Sequence, residues 1–232
     1  MALKEDLKSE VGKIVKSMWT ERAGIAIPDD NSIGLGNDAA RIEATVLYAD
    51  MADSTILVDS YPPGFAAEVY KTFLHCAAKL IRANGGKITA YDGDRVMAVY
   101  IGPTKNSSAA RTALQLNLAV DEIIHPALMT QYPDTQYRLK HVVGIDTSEL
   151  FVAKTGIRGS NDLVWVGRAA NHAAKLSALS DRYQTYVSKS VFDRLSADMK
   201  NTPDGRPLWE SLRWDEFDGR TIFQSNWSHE ID

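Results

Sequence analysis

The chain of 232 residues contains a single cysteine, Cys76. That excludes an internal disulfide framework and any zinc site built from several cysteines. Lying in a helical stretch with no histidine at a recognisable offset, Cys76 reads as a small apolar residue and not as a nucleophile. Long hydrophobic runs are also missing: nowhere are ~18 apolar residues consecutive, and Met1-Ala2-Leu3-Lys4-Glu5-Asp6 lacks the apolar core of a signal peptide. A soluble, cytoplasmic protein without direct membrane insertion is expected. Nor is there an excess of positive charge. A formal net charge of −4 provides no footprint for nucleic-acid binding, so an anionic ligand must be held by local groups or by metal. Apolar residues, by contrast, make up 44% of the chain, enough to build a real core.

Leu7, Val11, Ile14 and Met18 recur at helical spacing with charges between them, predicting an amphipathic helix over roughly the first 18 positions. It packs on its own domain, on a dimer mate or on a separate partner. Residues 24–40 are polar and turn-rich, so residues 1–40 read as helix and connector and 41–232 as the main domain. Within that domain, Ala44-Thr45-Val46-Leu47-Tyr48-Ala49 is a short strand ending at Asp50. Phe65, Val69, Phe73, Ala77, Leu80 and Ile81 mark one helical face, which stops at Asn84-Gly85-Gly86. Two strand-like runs then flank Asp92-Gly93-Asp94, a tight-turn signal that predicts a hairpin with an acidic tip.

A long helix over 108–129 is followed by two strand-like runs at 137–145 and 150–154, and by Leu163-Val164-Trp165-Val166. A helix begins near Gly167. A strand over 185–187, a short helix over 190–195 and a closing hairpin over 212–227 complete the chain. The order βαββαβ predicts an α+β, ferredoxin-like sheet with an N-terminal helix and a C-terminal β-hairpin extension.

Asp50 and Asp94 converge if the first strand lies beside the acidic hairpin. Two carboxylates without clustered cysteine or histidine suit Mg²⁺ or Mn²⁺, bound together with substrate phosphates. Taken singly, Asp-Gly-Asp is an ordinary solvated turn, and Asp50 near Asp53-Ser54-Thr55 an ordinary helix start.

The two aspartates have specific company. Val46-Leu47-Tyr48-Ala49-Asp50-Met51-Ala52-Asp53-Ser54-Thr55 resembles the first metal motif of class III adenylate and guanylate cyclases. Tyr91-Asp92-Gly93-Asp94-Arg95-Val96-Met97-Ala98 resembles their second. Gly167-Arg168-Ala169-Ala170-Asn171-His172-Ala173-Ala174-Lys175-Leu176 resembles their asparagine-arginine helix. The three occur in the family's order over about residues 41–180. The resemblance implies two divalent ions per site on Asp50, Asp94 and the Met51 backbone carbonyl. It makes Asn171 the asparagine that orients the ribose, and it implies a homodimer in which each site combines the carboxylates of one subunit with the helix of the other. Lys175 stands where the family has arginine and supplies charge without the bidentate fork. Arg168 and Arg220 share that load or are solvated surface residues.

Where the purine cyclases carry a base-reading Lys or Glu, this chain has Ala90. Tyr48, on the Asp50 face, narrows the base pocket or packs in the core, and Arg95 donates to a pyrimidine carbonyl or forms an exposed ion pair. With the purine reader missing, the chain is similar to the bacterial pyrimidine cyclases of Pycsar antiphage defence. That resemblance implies a nucleoside triphosphate substrate, UTP ahead of CTP, and a cyclic product read by a separate effector protein; the alternatives are an adenylate cyclase making cyclic AMP, which would need a purine reader, and a non-catalytic cyclase-like module, which the presence of both carboxylates disfavours.

Overall fold

The computed structural model describes residues 2–231, apart from the Glu216 side chain, as two compact units. One comprises the residues up to Glu43 with Glu149–Gly167, the other Ala44–Ser148 with the residues from Arg168 onward. The elements in chain order are α1 (Leu3–Lys16), β1 (Thr20–Ala23), β2 (Asp38–Ala52), α2 (Ser54–Ser60), α3 (Pro63–Ala83), β3 (Lys87–Asp92), β4 (Arg95–Tyr100) and α4 (Lys105–Leu118). A π-helical segment, Ala119–Ile124, leads into α5 (His125–Gln131). There follow β5 (Lys140–Ile157), β6 (Ser160–Val166), α6 (Arg168–Leu176), β7 (Thr185–Ser188), α7 (Lys189–Phe192), α8 (Ala197–Lys200), β8 (Glu210–Trp214) and β9 (Arg220–Ser225).

In the larger unit the strand order is β3-β4-β2-β5-β7-β9-β8. The first four give the expected ferredoxin-like arrangement: β4 lies between β3 and β2 and pairs antiparallel with both. β7 extends the sheet parallel to β5, and the β8–β9 hairpin closes it, antiparallel to β7. Helix α3 starts at a proline, whose missing N–H costs nothing in a first turn, and ends at Gly85 with φ of +79°. Its predicted face, Phe65, Val69, Phe73, Ala77, Leu80 and Ile81, is buried against Leu47 and Ala49 of β2, Val96 and Ala98 of β4, and α4. Cys76 is half-buried at the margin of this core, and burial raises its thiol pKa. Among the described residues no helix is long and apolar enough to cross a membrane.

In the smaller unit, β1 pairs parallel with residues 38–41 of β2, and the distal half of β5 forms a hairpin with β6. Arg41 bonds Glu21 at 2.6 Å and Glu149 at 2.8 Å. Helix α1 buries none of its residues, and Leu3, Leu7, Val11, Ile14, Val15 and Met18 are exposed.

The structure departs from the sequence pattern at β1, which lies outside every predicted strand, and at three further places. β2 starts at Asp38, before the apolar run. The helical stretch beginning at Lys105 continues to Gln131 through the π-helical turn. The two runs expected at 137–145 and 150–154 form one strand, β5, because its polar middle is satisfied internally. Thr147 Oγ1 donates to the Ala44 carbonyl at 3.0 Å, and Ser188 Oγ donates to Asp146.

Gly144 of β5 permits the close approach of α6. A Cβ there would stand 2.2 Å from the Ala173 carbonyl oxygen and 2.4 Å from the Ser177 nitrogen, both rigid backbone atoms. Gly144→Ala is therefore expected to cost about 1–3 kcal/mol in denaturant unfolding, with the m-value unchanged. Wild-type stability in that variant would contradict the packing.

Candidate active site

Asp50 and Asp94 approach each other through strand register. In the β2–β4 pair Asp50 faces Arg95 and Tyr48 faces Met97; in the β3–β4 pair Arg95 faces Asp92 and Met97 faces Ala90. Directly opposed residues share a sheet face. Two adjacent rows therefore cross three strands, Asp92-Arg95-Asp50 and Ala90-Met97-Tyr48. Asp94 belongs to the turn that closes the first row, and Gly93 beside it takes φ of +62°. The Arg95 side chain thus lies on the face of Asp50 and Tyr48. It pairs with Asp92 at 2.6 Å and stacks its guanidinium over the half-buried Tyr48 ring, 5.5 Å from the centroid. Burial raises the Tyr48 phenol pKa.

Burial, the charge of Asp94 and, to a smaller extent, Asp92 push the Asp50 carboxyl up to about 6, against the opposing Arg95 and the Met51 backbone N–H. Two carboxylates that repel in a partly buried setting are an incomplete charge arrangement, which a divalent cation would complete. No group of three His, Cys, Asp or Glu that could hold a metal is found among the described residues. An oxygen-only pair with the Met51 carbonyl beside it suits an ion that takes its remaining ligands from phosphates and water.

The second group of predicted residues lies on α6, in a separate electrostatic neighbourhood. The charges acting on Asp50 are Asp94, Arg95 and Asp92; those acting on His172 are Asp146, Arg168, Arg220 and Lys175. Asn171 is exposed. Lys175 sets its ammonium 4.3 Å from the Phe217 ring centroid, and Phe217 stacks on Trp214 at 4.2 Å. Arg168 bonds the Thr147 carbonyl at 2.6 Å and lies 3.3 Å from Asp146. With Arg220, Lys189 and His172 it lines a cavity of about 260 Å³. Burial, then the charges of Arg168, Arg220 and Lys175, hold His172 below the ordinary imidazole range, and Asp146 opposes them. Asp146, His172, Trp214 and Phe217 escaped the sequence reading. Asp146 sits in a polar run that resembles a loop, and the aromatic pair comes from a hairpin distant in sequence.

The Asp50 shift has a testable sign. Its folded-state pKa lies above its unfolded value, so ionising it opposes folding. The penalty is full above pH 6 and fades as pH falls toward 4. Without metal, Asp50→Asn is expected to melt ~2–4 °C above wild type at pH 8, with the gap closing toward pH 4. Mn²⁺ should narrow the gap at pH 8 by stabilising wild type alone. A gap independent of pH would contradict the assignment.

The family described as "Adenylate and Guanylate cyclase catalytic domain" matches residues 39–207. Uridylate cyclases are similar over nearly the whole chain. The protein from Xanthomonas perforans is 51% identical, covering 100% of both chains, and that from Burkholderia cepacia is 46% identical, covering 98% of both. Among solved structures, a bacterial light-regulated adenylyl cyclase superposes with a TM-score of 0.69 at 19% identity, over 84% of this chain and 55% of that longer one. The guanylyl cyclase Cya2 gives 0.66 at 18%, over 82% and 94%. With the family match across most of its length and full-length relatives at this identity, the chain belongs to the class III nucleotidyl cyclases.

Proposed function

We propose that this cyclase converts UTP to 3′,5′-cyclic UMP and pyrophosphate. The observation that carries the base assignment is the row Ala90-Met97-Tyr48 beside Asp50. At Ala90, where the purine enzymes present a hydrogen-bonding side chain, only a methyl group stands. Two strands away on the same face, the Tyr48 ring takes up space under the Arg95 guanidinium. A sheet face bounded by an aromatic ring, with a cationic donor at its edge, suits the smaller, carbonyl-bearing pyrimidine. The full-length relatives named uridylate cyclases support UTP ahead of CTP.

The reaction is an internal displacement in which the ribose 3′-oxygen bonds to the α-phosphorus and the bond to the pyrophosphate oxygen breaks. Mn²⁺ or Mg²⁺, two ions held by Asp50, Asp94 and the Met51 carbonyl, would supply charge neutralisation and a lowered hydroxyl pKa. Asn171 orients the ribose. Lys175, with Arg220 near it, balances the charge that builds on the phosphates. As the family pattern implies, with carboxylates from one subunit and the asparagine helix from the other, the active species is a homodimer with two composite sites. Residues 41–232 carry this chemistry, with α1 and β1 ahead of them. The product serves as a second messenger in antiphage defence, read by a separate effector protein.

Incubation with Mn²⁺ and each of the four ribonucleoside triphosphates, followed by mass spectrometry, should give cyclic UMP as the main product. Cyclic AMP alone would overturn the base assignment, and cyclic CMP as the main product would shift it within the pyrimidines. Absence of any cyclic product would overturn the reaction itself. Asp50→Ala or Asp94→Ala should lower turnover by at least ~10²–10³-fold with the dimer intact. Tyr48→Ala should erode the preference for UTP over ATP, and an unchanged ratio in folded protein would remove Tyr48 from base selection.

A further inference from the structure

Helix α6 lies along one face of β5. Val142, Gly144 and Asp146 alternate onto that face. Val142 packs with Leu176, Gly144 lies against the backbone at Ala173 and Ser177, and Asp146 meets Arg168 and His172. Apart from Leu176 the buried side of α6 is Ala169, Ala170 and Ala173. Methyl groups against a glycine allow a close approach but have little relief to fix the rotation of the helix. The polar contact supplies what they lack. Asp146 is 0% exposed. Its Oδ1 accepts from Ser188, at the end of β7. Its Oδ2 stands 3.2 Å from His172 Nδ1 and 3.3 Å from Arg168 Nε, with neither N–H aligned as a hydrogen bond. Arg168 and His172 are one turn apart on one side of α6, and Asn171 with Lys175 forms the neighbouring stripe, ~60° round the helix.

We propose that Asp146 is a positioning residue for cyclisation. Its buried carboxylate, braced by Ser188, fixes the rotation of α6 through Arg168 and His172, and so fixes where Asn171 and Lys175 project. This rests on the reaction proposed above. Arg168 acts as a rivet within its own subunit, and its charge balances that of Asp146. The amide of Asp146→Asn preserves shape and removes the charge that both α6 partners share.

The test uses the full-length dimer with UTP and Mn²⁺, together with hydrogen exchange of the α6 amides. Asp146→Asn should lower kcat at least 10-fold, change KM less than 3-fold, and speed exchange across residues 169–176 while α3 remains protected. In an Asn171→Ala background the same substitution should lower the residual kcat less than 3-fold, because both changes act on one group. A role confined to overall stability would cost the same in both backgrounds and would overturn the proposal. Wild-type kcat together with wild-type exchange in α6 would also overturn it. Should Asp146→Asn fail to fold, Ser188→Ala is the milder probe, with a smaller fall in kcat and the same near-constant KM expected. If the wild-type protein makes no cyclic nucleotide, the reaction assignment fails by itself, and the exchange measurement still decides whether Asp146 holds α6.

Discussion

The register of β4 between β2 and β3 is the constraint on which the carboxylate half of the site depends. It sets Asp50 opposite Arg95, Arg95 opposite Asp92, and Tyr48 and Ala90 on either side of Met97. Strand side chains alternate with period 2, so a slip of one residue would send Tyr48 and Asp50 into the core and Leu47 and Ala49 to the site. The packing of Leu47, Ala49, Val96 and Ala98 against α3 forbids that slip. The hydrophobic core therefore does more than stabilise the domain, because it decides which charges meet. Asp50 is held partly buried and near Asp94, and its raised pKa is the sign first of that burial and then of their mutual repulsion.

The helix half is ordered by a different balance. Gly144 lets α6 sit directly on β5, and a contact so smooth needs a polar fixed point. Asp146, Arg168 and His172 supply it on one side, and the Trp214–Phe217 pair packs around His172 and Lys175 on the other. A lysine ammonium lacks the planar, pre-organised fork of a guanidinium, and the Phe217 ring against it restores part of that orientation. The two halves use distinct physics, strand register and helix docking.

The helices and the hairpin were legible because their signals are local. The face of α3 repeats at helical spacing, and Asp92-Gly93-Asp94 is turn chemistry that needs no tertiary context. The family was legible for a second reason, since the three motifs around Asp50, Asp94 and Asn171 stand in its order. Asp146 was not legible, because Asp-Thr-Ser-Glu between two apolar runs reads as a loop, and only the burial of its partners turns it into the middle of β5. The row linking Tyr48 to Ala90 also lay beyond the sequence. It depends on β4 pairing with β2 as well as with β3, a long-range register that local alternation does not give.

In the proposed enzyme the carboxylates and the asparagine act across a subunit boundary. Mixing Asp94→Ala with Asn171→Ala subunits, each inactive alone, and isolating the heterodimer by two affinity tags tests that claim most directly. Composite sites predict one intact site and about half of wild-type UTP turnover per heterodimer. A verified heterodimer as inactive as its parents would contradict shared sites.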